Sequence, residues 1–294
     1  MKTDEEAIQR QLYYVRDYYR GDSRQKRQTF LICGFKGSGK TSVARTCRKP
    51  IHIDSFDPGG TTVISDMIES GDVIADVRFE DDDPLNPDRF AIWMKSIDKR
   101  INIGYFDKFG TYMLDSSTTW GNSIMYYQLA SHNDAGNIPT WKEGDYVEQK
   151  NLMQNYIKKL MRLPCDVIVT AHLDERQELI SYDKPTGIKR FKTTYRFFTV
   201  GKAVITIPIL FDEFYVLQTE ESSEGNKRIF LLDGQGKYQA SSRLRREGRL
   251  DITEPANIKA ILKKIGLSTE DKPRLVIPDS LQKKEVDDEA VTSR

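Results

Sequence analysis

Cysteine is scarce in this 294-residue chain. There are three, an odd number, and each lies in or beside an apolar run: Cys33, Cys47 and Cys165. That pattern argues against a disulfide framework or a cysteine metal site and points to buried free thiols in a reducing compartment. An excess of either charge is also missing: 45 Lys+Arg face 44 Asp+Glu, a formal net charge of +1. The overall field therefore cannot gather a polyanion, and any nucleic-acid contact must come from a local basic patch. No apolar run reaches membrane-spanning length, and the opening residues MKTDEEAIQR lack the features of a signal peptide. A cytoplasmic protein with no membrane contact is expected. Internal repeats and low-complexity tracts are absent as well. What is left, 38% hydrophobic and 30% charged residues, is a globular balance. The length suits one large α/β domain with additions, or two small ones.

The chain is organised around residues 29–42, TFLICGFKGSGKTS. The apolar run Phe30-Leu31-Ile32-Cys33 leads into Gly34-x-x-x-x-Gly39-Lys40-Thr41, a complete phosphate-loop pattern in the strand-then-loop context it needs. Gly34, Gly37 and Gly39 leave room for backbone to approach phosphate and allow positive φ. The amides of Gly37, Ser38, Gly39 and Lys40 would then point at the phosphates from a helix N-terminus. Lys40 would bridge the β- and γ-phosphates of ATP, and the Thr41 hydroxyl would ligate Mg²⁺, with Ser42 completing the binding set.

A second apolar strand, 110–115 (GTYMLD), ends in Asp115. A carboxylate at that edge holds Mg²⁺ directly or through water, so Thr41 and Asp115 form the expected metal pair. Other strands are read at 51–54, 73–79, 166–172, 213–219 and 228–232, and helices at 4–20, 61–70, 87–101, 123–129, 147–163 and 256–265. Strand–helix alternation predicts a three-layer α/β sandwich with a mostly parallel central sheet and a C-terminal antiparallel strand pair. Three parts are expected: an N-terminal helix and linker (1–28), an ATPase domain (29–267) and a charged, flexible tail (268–294). The helix at 4–20 carries Ile8, Leu12, Val15 and Tyr19 on one face, to pack on its own domain or on a neighbouring subunit. Asp81-Asp82-Asp83-Pro84 reads as a solvated loop, 132–146 with Trp141 as a surface loop, and 220–226 as a turn.

Two stretches invite a reading beyond nucleotide binding. Residues 173–200 interleave Lys184, Lys189, Arg190, Lys192, Tyr195 and Arg196 with further aromatics, which suits single-stranded DNA, since cations meet phosphates and rings stack on bases. The plainer reading is a basic hairpin whose aromatics pack inward. Arg243-Leu244-Arg245-Arg246 is a basic cluster, either a solvated face or a source of arginine fingers, Arg243 or Arg245, for a neighbour's phosphates.

The set GFKGSGKTS, YMLDSST, LPCDVIVTAH and FDEFYVLQT resembles the RecA-like phage nucleotide-binding ATPases, which include single-strand annealing and recombination proteins. The resemblance covers roughly residues 28 to 250. It implies a P-loop fold of RecA-like type, Mg²⁺-ATP binding, slow hydrolysis, and assembly into rings or filaments on DNA. Such proteins take their catalytic base from the strand after the P-loop helix, usually a glutamate; here that strand offers Asp54, with Asp57 three residues on. The family's sensor position, often Gln or His, falls on His172. The catalytic set implied is thus Lys40, Asp54, Asp57, Asp115 and His172. Alternatives are a DNA-packaging or helicase-loading motor and a non-hydrolysing nucleotide-gated scaffold, with a P-loop kinase behind them.

Overall fold

The structure is a computed structural model that describes residues 2–132, 143–199, 201–220, 225–234 and 236–276. The Trp141 loop, most of the 220–226 turn and the tail beyond residue 276 lie outside the described residues. In chain order the elements are α1 (Lys2–Gly21), β1 (Thr29–Gly34), β2 (Ile51–Ser55), α2 (Ser65–Glu69), β3 (Val73–Asp76), α3 (Arg89–Asn102), β4 (Thr111–Asp115) and α4 (Ser117–Ser131). There follow α5 (Glu143–Leu160), β5 (Asp166–Asp183), β6 (Ile188–Phe197), α6 (Ala203–Thr206), β7 (Glu213–Glu220), β8 (Lys227–Leu231), β9 (Ser241–Ser242), β10 (Thr253–Pro255) and α7 (Ile258–Lys264).

The strands form one sheet in the order β10-β8-β7-β1-β5-β4-β2-β3. From β7 to β3 the pairings are parallel, and β8 and β10 add antiparallel pairings beyond β7. This is the expected α/β architecture with antiparallel strands at the C-terminal end. Strand alternation sorts β1 onto both faces. Leu31 and Cys33 join Trp93, Trp120, Ile124 and Ile157 in the core under α3, α4 and α5. Phe30 and Ile32 join Val43, Ala44, Met67, Ile258 and Leu262 on the other face. Helical segments thus cover both faces, and β1, being fully buried, reads as a continuous apolar run. All three cysteines are free and buried. Burial pushes the Cys165 thiol up to about 12.

Several elements depart from the sequence reading for physical reasons. The segment after the P-loop is a six-residue 3-10 helix, Thr41–Thr46. Its β-branched residues are stiff, the Thr46 hydroxyl donates to the Val43 carbonyl at 2.8 Å, and Cys47 is already extended on the way to Pro50. The strand expected at 73–79 stops at Asp76, where Val77 begins a turn. Asp82, expected in a solvated loop, is half-buried and accepts from the amides of Asp88 (3.2 Å) and Arg89 (3.4 Å) at the start of α3. The described part of the expected flexible tail lies against the domain: Lys272 N donates to Lys49 O at 2.8 Å and its Nζ to Asp107 O at 2.9 Å. The apolar face of α1 is not packed on the described part of its own domain, since Ile8, Leu12, Val15 and Tyr19 are each more than half exposed.

The largest departure is β5. Its partners end beneath it: β1 stops at Gly34 opposite His172, and β4 pairs only as far as Leu114 opposite Val169. The strand nevertheless runs on to Asp183, pairing instead with β6 as an antiparallel ladder with a bulge between Leu179 and Ser181. The hairpin so formed leaves the sheet at its C-terminal edge, beside the P-loop. Its base is fixed by fully buried Phe197 and by Tyr195, which stacks on Tyr238 at 5.0 Å.

Candidate active site

At the C-terminal end of β1 the chain turns through Gly37 (φ +82°) and Gly39 (φ +94°), the left-handed region glycine tolerates. Gly34 is required by space: a Cβ there would overlap Ser38 Oγ and stand 3.2 Å from Leu217 O. Lys36, Gly37 and residues 39–42 of the loop line a cleft of about 530 Å³ with Asp57, Gly59, Gly60, Thr119, His172 and Arg228. Because the following helix is a short 3-10 segment, the anion site is made by the loop's own amides more than by a macrodipole.

Lys40 Nζ donates to the carbonyls of Gly34 and Phe35, both at 3.1 Å, folding back over the loop. Burial pulls its pKa down, against the pull of Asp115 and Asp57. Asp115 is fully buried, and its Oδ2 accepts from Thr41 Oγ1 at 2.5 Å. Its Oδ1 accepts from Thr170 Oγ1 on β5. Burial raises the Asp115 pKa, with Asp57 adding to the rise; the Thr170 and Thr41 hydroxyls and Lys40 oppose it. Hydroxyl and carboxylate oxygens in contact are hard donors suited to Mg²⁺, which takes one or two protein ligands and fills the rest with phosphate and water. Among the described residues no group of three or more His, Cys, Asp or Glu could hold a metal alone.

The two aspartates expected as water-orienting groups part company. Asp57 lines the cleft; its Oδ1 accepts from Ser116 Oγ (2.8 Å) and Thr119 Oγ1 (2.5 Å). Its loop is tied to the metal-side strand by Phe56 N donating to Asp115 O at 2.6 Å. Glu80 steadies the same loop, accepting from Ser55 Oγ (2.7 Å) and Gly59 N (2.9 Å). Asp54 is excluded from the site. It faces the opposite side of the sheet, fully buried, and accepts from Trp93 Nε1, Tyr112 OH and Arg100, each at 2.8 Å, beside His52 at 2.9 Å. Burial opposes its charge, yet His52, Arg100 and Tyr112 hold its pKa below the usual range. It is a structural ion, walled off from water.

His172 reaches the cleft from β5, opposite Gly34, with its amide donating to Thr118 Oγ1 at 3.0 Å. Burial first, then Lys40, lowers its pKa while Asp57 opposes, so the ring is neutral at neutral pH. Of the residues assigned to DNA, Lys184, Lys189, Arg190 and Lys192 are exposed on the hairpin. Tyr195 is unavailable for stacking on a base: it packs between Tyr238 and Phe35 of the P-loop (5.2 Å). Arg196 is turned to Asp174 at 3.3 Å. Arg243 pairs with Asp212 at 3.5 Å and Arg245 with Asp233 at 2.5 Å. Asp212 also binds Thr29 at the start of β1, so Arg243 sits at the sheet end opposite its own cleft. Sequence reasoning missed Glu80, Thr119, Thr170 and Arg228. Thr119 stands in the SSTT run after Asp115; the others carry no local motif.

No curated relative matches the sequence. Among solved structures, a KaiC-like protein from the hyperthermophilic archaeon Pyrococcus horikoshii OT3 is similar, at 12% identity and a TM-score of 0.34, over 74% of this chain and 83% of that one. A likeness at that level carries no argument. The match to the profile of AAA_24, described as an AAA domain, is broader in consequence: it spans residues 26–244, from β1 to β9 and through every residue of the cleft. The chain therefore belongs to the AAA_24 family of AAA domains.

Proposed function

We propose that the cleft binds Mg²⁺-ATP and hydrolyses it slowly, in homo-oligomers that act on single-stranded DNA, as in phage recombination or annealing. The single observation that carries the nucleotide half is the Thr41–Asp115 contact at 2.5 Å, set beside Lys40 and the loop amides. Mg²⁺, once bound, neutralises charge on the phosphate oxygens. The loop amides hold the phosphates, and Lys40 leaves the carbonyls of Gly34 and Phe35 for a phosphate oxygen. Asp57, steadied by Ser116 and Thr119, orients the attacking water and takes its proton. Neutral His172 hydrogen-bonds at the terminal phosphate. The DNA half rests on the exposed hairpin, whose residues 173–198 carry six basic and four acidic side chains. Assembly rests on α1, whose exposed apolar face needs a partner, and would bring Arg243 or Arg245 to a neighbour's cleft. A finger supplied that way is worth about 10³–10⁵ in rate, so an isolated subunit turns over slowly.

The test is nucleotide binding and ATPase rate with and without single-stranded oligonucleotide. Lys40→Ala abolishes binding or turnover, and Asp57→Asn keeps binding while lowering turnover by about 10² or more. Unchanged turnover in Lys40→Ala ends the reading. A second reading, a non-hydrolysing nucleotide-gated scaffold, is favoured by the lack of any glutamate among the described residues lining the cleft. Tight ATP binding with no turnover, with or without DNA, would select it.

A further inference from the structure

Besides Lys40, the cleft is lined by two cations that the phosphate-loop motif does not assign, Lys36 in the loop itself and Arg228 from outside it. Arg228 stands near the start of β8, opposite Thr219 of β7, and lines the cleft beside the P-loop. Its guanidinium lies on the α-carbon of Gly39: a Cβ built there would overlap Nε and stand 2.6 Å from Cζ. Gly39 is therefore required twice, by its backbone conformation and by this close approach. Among the described residues, nothing hydrogen-bonds or ion-pairs with the Arg228 guanidinium. Two other nearby cations, Arg45 and Lys40, are engaged elsewhere. Arg45 gives its guanidinium to Asp66 (2.7 Å) and Val63 O (2.8 Å), and Lys40 bonds the loop carbonyls. An arginine laid against a glycine-rich loop, with no carboxylate bonded to it among the described residues, is disposed to bind an anion through its planar fork.

Its place in the cleft says which part of the anion. Arg228 lines two adjoining cavities, and Gly37 and Ser42 are shared with it. One is the cleft, with Asp57, Thr119 and His172 at its reactive end. The other, about 480 Å³, is lined by Val43, Thr46, Thr219, Asn226 and Ala256. A triphosphate lying over Lys40 points its terminal group toward Asp57 and His172. Its nucleoside end then lies toward the second cavity, and the junction faces the phosphates between.

We propose that Arg228 binds, in cis, the α- and β-phosphates of a nucleotide seated on its own chain's P-loop. It thereby sets the affinity for nucleoside di- and triphosphates alike. This charge belongs to the same subunit as the loop, in contrast to an arginine lent by a neighbour. The inference rests on the nucleotide reading of the P-loop given above, and the experiment separates the two.

Equilibrium binding of ATP, ADP and AMP is measured for the wild type, Arg228→Ala, Arg228→Lys and Lys40→Ala, with thermal melts of each nucleotide-free protein. Arg228→Ala is expected to weaken ATP and ADP by a similar factor, about 10- to 100-fold, as expected on removing one charge-assisted hydrogen-bonding group. Its unliganded melt stays at the wild-type temperature, because the side chain is exposed and makes no hydrogen bond or ion pair among the described residues. Arg228→Lys keeps the charge without the fork and recovers part of the loss for both nucleotides. Should Arg228→Ala fail to fold, a several-fold weakening of both nucleotides in Arg228→Lys supports the proposal in its place. Equal affinities in the wild type and the Arg228 variants overturn the proposal alone, and so does a loss confined to ATP, which would put the arginine on the γ-phosphate. Mixing Arg228→Ala with Lys40→Ala restores no tight site if the residue acts in cis; recovery in the mixture overturns that assignment. A wild type that binds no nucleotide overturns the P-loop reading and this one together.

Discussion

Asp54 and Asp57 lie three positions apart, and spacing along the chain cannot say which of them meets solvent. Strand alternation decides it. β2 puts His52 and Asp54 on the side of the sheet covered by α3, where the Trp93 and Tyr112 donors and Arg100 close over the carboxylate. Asp57 comes after the strand has ended, in a loop tied to Asp115. The buried network extends further: Arg100 also bonds Asp76, which Arg78 contacts at 2.8 Å. Burial opposes the Asp76 charge, but the bonds from Arg78 and Arg100 outweigh it and hold the carboxyl down to about 2. An unfolded aspartate titrates near about 3.9, so between these values the folded chain binds fewer protons than the unfolded one. The stabilisation is complete above about pH 5 and is lost as the pH falls toward 2. Denaturant midpoints should record a loss of about 2 kcal/mol across that window from this group. Asp76→Asn should lack this part of the acid slope; identical slopes for wild type and variant would refute the assignment. The signal that could have placed Asp54 in the core was the run His52-x-Asp54 inside an apolar strand facing the aromatic helix 89–102, but Arg100 joins it from 46 residues away.

At the scale of elements, what was legible followed from local chemistry. The phosphate loop, the strand ending in Asp115, the α/β alternation and the helices around 87–101 and 147–163 each announce themselves within a short window. Two elements that differ from the sequence reading depend on something outside that window. The P-loop helix is short because Thr41–Thr46 must reach Pro50 and β2 within a few residues. β5 outlives its sheet because β1 and β4 end beneath it while β6 offers a new partner. Its outer half therefore stands as a two-stranded ladder, a form that is marginal alone and needs the Tyr195–Tyr238 stack at its base. Phe35 of the P-loop touches that same stack, so the hairpin and the phosphate loop are in physical contact. Replacing Lys189, Arg190 and Lys192 together by glutamine tests the hairpin as a DNA element. Nucleotide affinity should stay at the wild-type level. Single-stranded DNA binding should weaken, and its log–log salt slope should become shallower by about 2, at roughly 0.7 for each phosphate no longer neutralised. An unchanged salt slope would place any DNA contact elsewhere on the molecule.

For the whole molecule the question is what α1 is for. Twenty residues of helix carry Ile8, Leu12, Tyr13, Tyr14, Val15, Tyr18 and Tyr19, all more than half exposed. An isolated helix of that length is marginal in water, and in folded proteins an apolar stripe is what stabilises a helix by packing. Here none of the described residues covers the stripe Ile8–Leu12–Val15–Tyr19, which leaves it exposed for a second copy of the chain. Its own sheet end also carries Arg243, remote from its own cleft but exposed for a neighbour's. A single contact between subunits could thus do two things, hold the assembly and complete the site. Removal of residues 1–21 separates these roles from nucleotide binding. The shortened chain should bind ATP with unchanged affinity, because Lys40, Thr41, Asp115 and Arg228 all lie in the domain that remains. Its mass in light scattering should fall to that of one subunit, and the DNA-stimulated part of its turnover should vanish, as expected when a trans arginine no longer arrives. An undiminished mass would show that α1 is not the joint between subunits. A monomer that still responds to DNA would show that turnover needs no arginine from a neighbour.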